Sequence, residues 1–473
     1  MISISYYIAT ILFSILSYYV GIRMLRKPFR TLTLHAVNQI DLLLNTDLDE
    51  LTVDKMILKN IVKMLFSMCV FIGYMLLTMA LFFLPTVVFY LLSTYQLLTI
   101  NTDFLFSNYY YIAVLISVII LFFIHKKEDY NYWSKLLHYI TLDYHHLSKF
   151  ILKRELNKQN NTSAIENKFV MISGLARSGT TATLNMLYDP NFFHSITYKH
   201  MPFLMAPSIA NRLSVFSNNQ SKERSHGDRI QISKNSAEAL EEYFFKIKLQ
   251  DSFIQEDKLT KHTLNESVVN EYYQYQNLFR EKKETYYIAK NNNLILRYES
   301  LRKHNKIFKA LFLVRTPLAH AKSLLNQHTN YLNQQSQDEF VLDYMNWLGH
   351  HEFGKGLKRF ELLENTPIPN QIYTDVSHIN YWLHTWINYY QYLLQLAEKD
   401  TSILIVNYDD LLQTPNELKK KLKEVLSINF PLTHLPEFTP KKYSVNSNNA
   451  DTTLLNEANR IYEKLLLLKI KYY

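Results

Sequence analysis

Gly174-Leu175-Ala176-Arg177-Ser178-Gly179-Thr180-Thr181 is the stretch on which the reading of this chain turns. A nucleoside-triphosphate loop reads G-x-x-x-x-G-K-[ST], its Lys reaching the terminal phosphates. Here the two glycines keep that separation, Thr180 takes the Lys position and Arg177 supplies a cation inside the loop. The short β-branched run Phe169-Val170-Met171-Ile172 reads as a buried strand, and Thr180 to Tyr188 reads as the helix that follows. Such a junction aims backbone N–H groups and the positive end of a helix at an anion.

Outward from the loop, strand-like segments alternate with helical ones. Lys168–Ser173, Thr285–Ala289, Phe308–Val314 and Ser402–Val406 read as strands. Ala237–Lys248, Pro317–Leu325, Ile379–Ala397 and Asn416–Val425 read as helices. The alternation predicts an α/β domain in three layers, with a mainly parallel sheet and ligands at the carboxyl ends of its strands. A second signal lies at one such end, where Arg315 leaves the run Ala310–Val314 and Ser323 follows eight residues later on the next helix. Pro317 suits that helix's first turn and Thr316 its cap. An Arg fork and a Ser hydroxyl can converge there on one phosphate. A strand-end Arg paired with a carboxylate is the plainer alternative.

The first third of the chain has a different character. Residues 1–22, 64–102 and 104–124 carry no charged side chain, and about 20 apolar residues span a bilayer core. Three transmembrane helices are expected, near 1–22, 64–90 and 104–124, in a membrane region covering 1–125. The uncharged stretch 64–102 exceeds one straight span, and Pro85 marks a kink or an interfacial turn in it. Arg23, Arg26, Lys27, Arg30, Lys55, Lys59 and Lys63 lie between the first two stretches, and Lys126 and Lys127 follow the third. By the positive-inside rule the N-terminus lies outside, and the C-terminal domain lies in the cytoplasm of a multi-pass protein, expected in a bacterial inner membrane. Residues 126–164 read as a juxtamembrane amphipathic helix and a polar linker.

Composition narrows the classes further. Cys69 is the single cysteine, so no disulfide forms within the chain. The net charge is +9, yet no basic-aromatic stripe points to nucleic acid. The 17 His residues show no zinc-type spacing, and His350-His351-Glu352 reads as structural. No metal site is expected. Glu241 and Glu242 read as a solvated helix face, and Trp382 and Trp386, four apart, as core.

The loop, together with Phe312-Leu313-Val314-Arg315-Thr316-Pro317-Leu318-Ala319-His320-Ala321-Lys322-Ser323, resembles the sulfotransferases that use 3′-phosphoadenosine-5′-phosphosulfate (PAPS). The blocks 195–203, 226–231, 238–244, 287–293 and 404–412 are similar to further segments of that family, so the resemblance covers about 165–473. It implies a sulfotransferase domain there, moving a sulfuryl group from PAPS to a hydroxyl; the apolar stretches, which the resemblance does not cover, make the enzyme membrane-anchored, and that anchor alone suggests a glycan or lipid-linked acceptor. It also implies donor-binding roles for Gly174, Arg177, Ser178, Gly179, Thr180, Thr181, Arg315 and Ser323, and catalytic roles for Arg177, Lys290 and His200. His200 stands where relatives carry the base, with His226 and Asp228 as rivals. Residues 441–447 read either as a solvated basic loop or, by the resemblance, as a loop that closes over the 3′-phosphate. PAPS has no γ-phosphate and needs no bound Mg²⁺, which accounts for the absent loop Lys. A kinase-like nucleotide enzyme and a non-catalytic membrane protein keeping the fold are the alternatives.

Overall fold

The computed structural model describes residues 2–95, 132–158, 168–214, 231–280, 285–363, 374–428 and 450–469, with the isolated positions 97, 108, 111, 112, 115, 116, 222, 223 and 282. The chain divides into two compact units, Met1–Leu147 and Ser148–Tyr473.

The first unit is built on two long helices, α1 (Ile2–Leu43) and α2 (Glu50–Thr94), followed by α3 (Tyr132–Leu142). Of the three spans expected, two are found among the described residues: Ile8–Leu43 and Leu51–Thr94 are long and apolar enough to cross a membrane. The expected third stretch, 104–124, falls almost wholly outside the described residues. Both helices outrun the uncharged stretches. At 42 residues α1 is about 63 Å long, twice a hydrocarbon core of about 30 Å. Its charged half continues the helix because Arg and Lys are good helix formers. Gly21 lets the pair approach closely: a Cβ there would stand 2.8 Å from Thr78 Cγ2. Thr78 Oγ1 donates to Gly21 O at 3.1 Å, and further along Asn60 Nδ2 donates to Gln39 Oε1 at 2.8 Å. Leu65, Phe66, Leu76 and Met79 of α2 are exposed, as a lipid-facing surface would be. The expected single helix after the membrane region is two, α3 and α4 (His145–Lys158).

The second unit follows the α/β expectation. After α4 come β1 (Phe169–Ser173), α5 (Thr180–Leu187), β2 (Phe193–His194), a 3-10 turn at Tyr198–His200, α6 (Pro207–Ser214), β3 (Lys222–Glu223), β4 (Gln231–Ile232), α7 (Glu242–Leu249), β5 (Lys258–Thr260), α8 (Glu266–Leu278) and β6 (Tyr286–Lys290). Then come a 3-10 turn at Asn292–Leu296, α9 (Tyr298–His304), β7 (Lys309–Val314), α10 (Pro317–Gln337), α11 (Phe340–Trp347), β8 (Arg359–Glu361), α12 (Ile379–Lys399), β9 (Ile403–Asn407), α13 (Tyr408–Gln413), α14 (Pro415–Leu426) and α15 (Thr452–Leu467). The five-stranded sheet has the order β2-β6-β1-β7-β9, and every pairing in it is parallel.

β1 shows why both faces carry helices. Alternate side chains of a strand point to opposite faces. Val170 and Ile172 join a core with Leu184 and Leu187 of α5 and Leu418 and Leu422 of α14. On the other face, Phe169 packs edge-on against Tyr272 of α8, while the Tyr272 hydroxyl reaches Met171 Sδ at 3.6 Å. All five residues of β1 are therefore buried, as a strand covered on both sides requires. Trp382 and Trp386 are core, as their spacing predicts.

One helix boundary is corrected. The helix expected over 237–248 starts only at Glu242, because Ala237 is held in an antiparallel bridge with Thr197. Residues 237–241 are thereby kept out of the helix.

Candidate functional site

β1 lies between β6 and β7, and the chain leaves it for α5 while the neighbouring strands feed elements on other paths. Such a place is where open α/β sheets bind ligands. Three adjacent strand ends meet here. β1 gives the glycine loop, β6 ends in Lys290 opposite Ile172, and β7 runs directly into Arg315.

The loop's shape depends on its glycines. Gly174 has φ +149° and Gly179 φ +102°, and a Cβ on either would stand 2.6 Å from Ser178 Oγ or Tyr408 Cδ2 respectively. Arg177 is left-handed as well, with φ +69°, a strained setting for a side chain with a Cβ. Gly179 caps α5 without any side-chain hydrogen bond, which leaves the first-turn N–H groups directed out of the helix end. Ser178 is fully buried, with the Tyr390 hydroxyl beside it. Thr180 and Thr181 are buried in the first turn.

On the β7 side, Arg177 Nε donates to Ser323 Oγ at 3.4 Å, joining residues 146 apart in the chain. Arg315 Nη1 donates to Arg177 O at 3.2 Å, and its guanidinium lies 4.5 Å from the centre of the Tyr408 ring. His320, on the α10 turn before Ser323, braces the loop through Nε2 and Ala176 O at 2.8 Å. Burial and the nearby Arg315 hold that imidazole down to about 3, so it is neutral and its ring NH donates. The structure thus brings Arg177, Arg315 and Ser323 together.

On the β6 side, Lys290 is buried and its Nζ donates to Thr181 Oγ1 at 2.8 Å and to Glu238 Oε1 at 2.9 Å. A strand-end ammonium therefore reaches the same helix turn that the loop Lys of a nucleoside-triphosphate site would serve. Glu238 was not among the residues singled out from sequence. It belongs to the segment that Ala237 holds out of α7, and Tyr198 donates to its Oε2 at 3.3 Å. The available signal was its place in the block 238–244, three and four residues before two more carboxylates in an apolar run.

His200 is the base expected from sequence. It ends a 3-10 turn, is buried, and accepts at Nδ1 from the Thr197 N–H at 3.0 Å. Its ring packs edge-on to Phe279, 4.8 Å between centroids. Burial, helped by Lys199, pushes its pKa down to about 3. Its described hydrogen bonds run to its own turn, through Thr197. His226, Asp228 and residues 441–447 lie outside the described residues.

Beneath Lys290 lies a buried charge cluster where a solvated face was expected. Arg297 forks onto both oxygens of Glu242 at 2.6 Å, with Phe245 stacked 4.0 Å away. Asn291 donates to both Glu241 and Glu242, at 3.0 and 2.9 Å. Burial raises Glu241 to about 7 despite hydrogen bonds from Asn291, Tyr287 and Tyr272. The reason for the miss is physical: Arg297 comes from fifty-five residues downstream and neutralises a carboxylate that looks surface-bound in isolation.

A polar cleft opens beside Lys290, lined also by Asn292, Asn293, His350 and Glu352. Asn292 Nδ2 donates to Glu352 Oε1 at 3.0 Å. His350 faces Glu352 through Nδ1 at 3.6 Å and Ala239 O through Nε2 at 3.1 Å. With acceptors on both sides, its pKa is raised, Glu352 outweighing the effect of burial. Among the described residues no group of three or more His, Cys, Asp and Glu side chains could hold a metal ion.

No protein-family model matches the chain. No curated protein matches it either. Three solved structures are similar. A sulfotransferase of Mycobacterium tuberculosis is 12% identical, with TM-score 0.35, over 67% of this chain and 78% of that one. A sulfotransferase of Mycobacterium avium is 13% identical, with TM-score 0.36, over 74% and 80%. A sulfotransferase of Alicyclobacillus acidocaldarius is 10% identical, with TM-score 0.30, over 64% and 93%.

Proposed function

We propose that the second unit is a PAPS-dependent sulfotransferase, moving a sulfuryl group to a hydroxyl of a carbohydrate or lipid-linked acceptor. The unit would work on the cytoplasmic side of a membrane crossed by the apolar helices, which supply the anchor.

One observation carries the reading: β1 is flanked by two separate cation sets, Arg177–Arg315–Ser323 on one side and Lys290–Thr181 on the other. PAPS carries two anionic groups, a 3′-phosphate and a 5′-phosphosulfate, and so matches two sets. The residues fit such a donor. Ser178 Oγ is a buried hydroxyl inside the loop, and a Cβ on Gly174 would collide with it. Arg315 stands where a kinase of the nucleotide-loop class would hold Mg²⁺ with an Asp.

The roles follow from position. The α5 N–H groups and Lys290 would hold the sulfuryl and leaving-phosphate oxygens as charge moves onto the latter. Arg315 and Ser323 would clamp the 3′-phosphate, and Arg177 bridges the two halves. Glu238, hydrogen-bonded to Lys290, would take the acceptor's hydroxyl proton. When bound, PAPS supplies the sulfuryl group, whose bond to phosphate breaks as a bond to the acceptor oxygen forms, leaving adenosine 3′,5′-bisphosphate.

Calorimetry of the detergent-solubilised chain with adenosine 3′,5′-bisphosphate tests the donor site. Binding tighter than about 1 mM, unaltered by a chelator and absent with ATP, is expected. ATP binding that requires Mg²⁺, with none for the bisphosphate, would replace this proposal with a kinase. Label transfer from sulfur-labelled PAPS into a membrane extract tests the reaction, and no transfer despite donor binding would leave a non-catalytic protein.

A further inference from the structure

Glu238 serves Lys290 only while its carboxylate keeps its place, yet it belongs to no helix and no strand. One flank is fixed by the chain that follows β2: Ala237 bridges to Thr197, and the Glu238 N–H donates to Ile196 O at 3.3 Å. The other flank is fixed through the Ala239 peptide. Its N–H donates to Glu238 Oε1 at 3.0 Å, and its carbonyl accepts from His350 Nε2 at 3.1 Å.

His350 is itself held. Its Nδ1 lies 3.6 Å from Glu352 Oε2, and Glu352 Oε1 accepts from Asn292 Nδ2 at 3.0 Å. Asn292 stands two residues after Lys290, and its neighbour Asn293 donates to Gly349 O at 3.0 Å. Lys290 Nζ donates to Glu238 Oε1 at 2.9 Å, which closes a circuit. It runs from Lys290 through Asn292, Glu352, His350 and Ala239 to Glu238, and back to Lys290.

The proton count on His350 follows from its neighbours. A neutral imidazole has one N–H and an imidazolium two. Glu352 and the Ala239 carbonyl are both acceptors, so only the cation donates to both at once. Burial works against that charge, but Glu352 outweighs it, and the pKa of His350 is raised. Burial works against charge on Glu352 as well, yet His350 and Asn292 hold its pKa down to about 2. Two further charges reach His350, Lys290 opposing its proton and Glu238 favouring it. From α7 come Glu242, which Arg297 occupies, and Lys246, which Asn346 O and Asp251 occupy.

We infer that His350 and Glu352 are positioning residues: the pair fixes the Ala239 peptide and, through it, keeps the Glu238 carboxylate beside Lys290. This rests on the transferase reading and deepens it, making turnover depend on a proton that never reaches substrate. With the pKa raised, the two-donor imidazolium is complete at low pH and lost as pH rises through that pKa. Its loss leaves one of the two acceptors unmet and loosens the Glu238 segment on that flank.

Three substitutions test the circuit. His350→Ala and Glu352→Leu cut it. Glu352→Gln rebuilds it without charge: the amide oxygen accepts from Asn292, and the amide nitrogen donates to Nδ1 of a neutral His350 whose Nε2–H stays on Ala239 O. Initial rates of label transfer from sulfur-labelled PAPS into a membrane extract, with the full chain in detergent, are followed from about pH 6 to about pH 9. The wild-type rate should fall as His350 loses its proton. His350→Ala and Glu352→Leu should each lower turnover about 10- to 100-fold at neutral pH, as a misplacement of about 1 Å does, with adenosine 3′,5′-bisphosphate affinity within about threefold of wild type. Glu352→Gln should recover most of the loss caused by Glu352→Leu and should lack the alkaline fall. Wild-type turnover in His350→Ala and Glu352→Leu, or an alkaline fall in Glu352→Gln at the wild-type midpoint, overturns the inference and leaves the transferase reading standing. No transfer by the wild type removes that reading and this inference with it. If the Ala and Leu variants fold poorly, the pH profile of Glu352→Gln against wild type still decides.

Discussion

Replacing Arg315 by Ala removes one guanidinium from the β7 side of the loop, and the structure allows its effect to be sized. Arg315 is half-buried, bonds to Arg177 O at 3.2 Å and rests on the Tyr408 ring. Its orientation is thus set before any ligand arrives, and little entropy is lost on binding. A charge-assisted hydrogen bond to phosphate contributes about 1.5–3 kcal/mol. At about 1.4 kcal/mol per decade, Arg315→Ala should weaken adenosine 3′,5′-bisphosphate binding about 10- to 150-fold. Arg315→Lys keeps the charge without the fork and should fall between the two. Ser323→Ala loses a single hydroxyl and should cost no more than about tenfold. The assay is calorimetry, with circular dichroism of each variant to confirm the fold. An Arg315→Ala protein that is folded and binds within twofold of wild type would refute the assignment of this cluster to the 3′-phosphate.

Glu238→Gln keeps the size and one acceptor oxygen but removes the base, and turnover should drop about 10²- to 10⁴-fold while bisphosphate affinity changes little; stopped-flow or label-transfer rates decide, and full turnover would transfer the role elsewhere. Glu241 has its folded-state pKa raised from the usual carboxylate range to about 7. Its contribution to stability is therefore complete below about pH 4.5 and lost as pH rises through about 7. Unfolding of wild type and Glu241→Gln, compared from pH 4 to 8, should show a difference that grows in the variant's favour with pH, to about 3 kcal/mol, and a flat difference would disprove the shift. Gly179→Ala forces a Cβ onto a left-handed residue and against Tyr408, and should cost about 1–3 kcal/mol of stability together with donor binding. Arg297→Met strands Glu242 as a buried charge and should destabilise by about 3–5 kcal/mol in thermal or chemical unfolding, with Glu242→Leu recovering part of the loss.

The sequence and the structure agree where the determinants are local. The glycine spacing around Arg177, and the apolar runs that became β1, β6, β7 and β9, are written within a few residues, and the strands lie within a residue of their expected ends. Arg315 and Ser323 were legible because both follow one strand end at a fixed spacing. β2 is two residues long and carries no readable periodicity. Glu238 was hidden by a helical pattern that a long-range bridge to Thr197 interrupts. Glu242 reads as surface until Arg297 arrives from another element. The turn that takes up His200 Nδ1 is not written in its offset from the loop. In the first unit, apolar content marked where helices run but not where they stop, since charged residues continue a helix as well as apolar ones do.

The placement of the cations has a consequence for how the protein comes to life. The loop Lys of a nucleoside-triphosphate site arrives with its own helix, so a single strand-turn-helix unit carries most of its anion-binding equipment. Here the contact between Lys290 and Thr181 spans 109 residues, and that between Arg177 and Ser323 spans 146. The first needs β1 in register with β6 and the second β1 in register with β7, so the pair is complete only when all three strands are. Parallel pairing across such separations is a slow step in folding. A nascent chain that has completed β1 and α5 holds the glycine loop without its counter-charges. Donor affinity therefore arrives late and all at once, which makes it a reporter of the finished sheet.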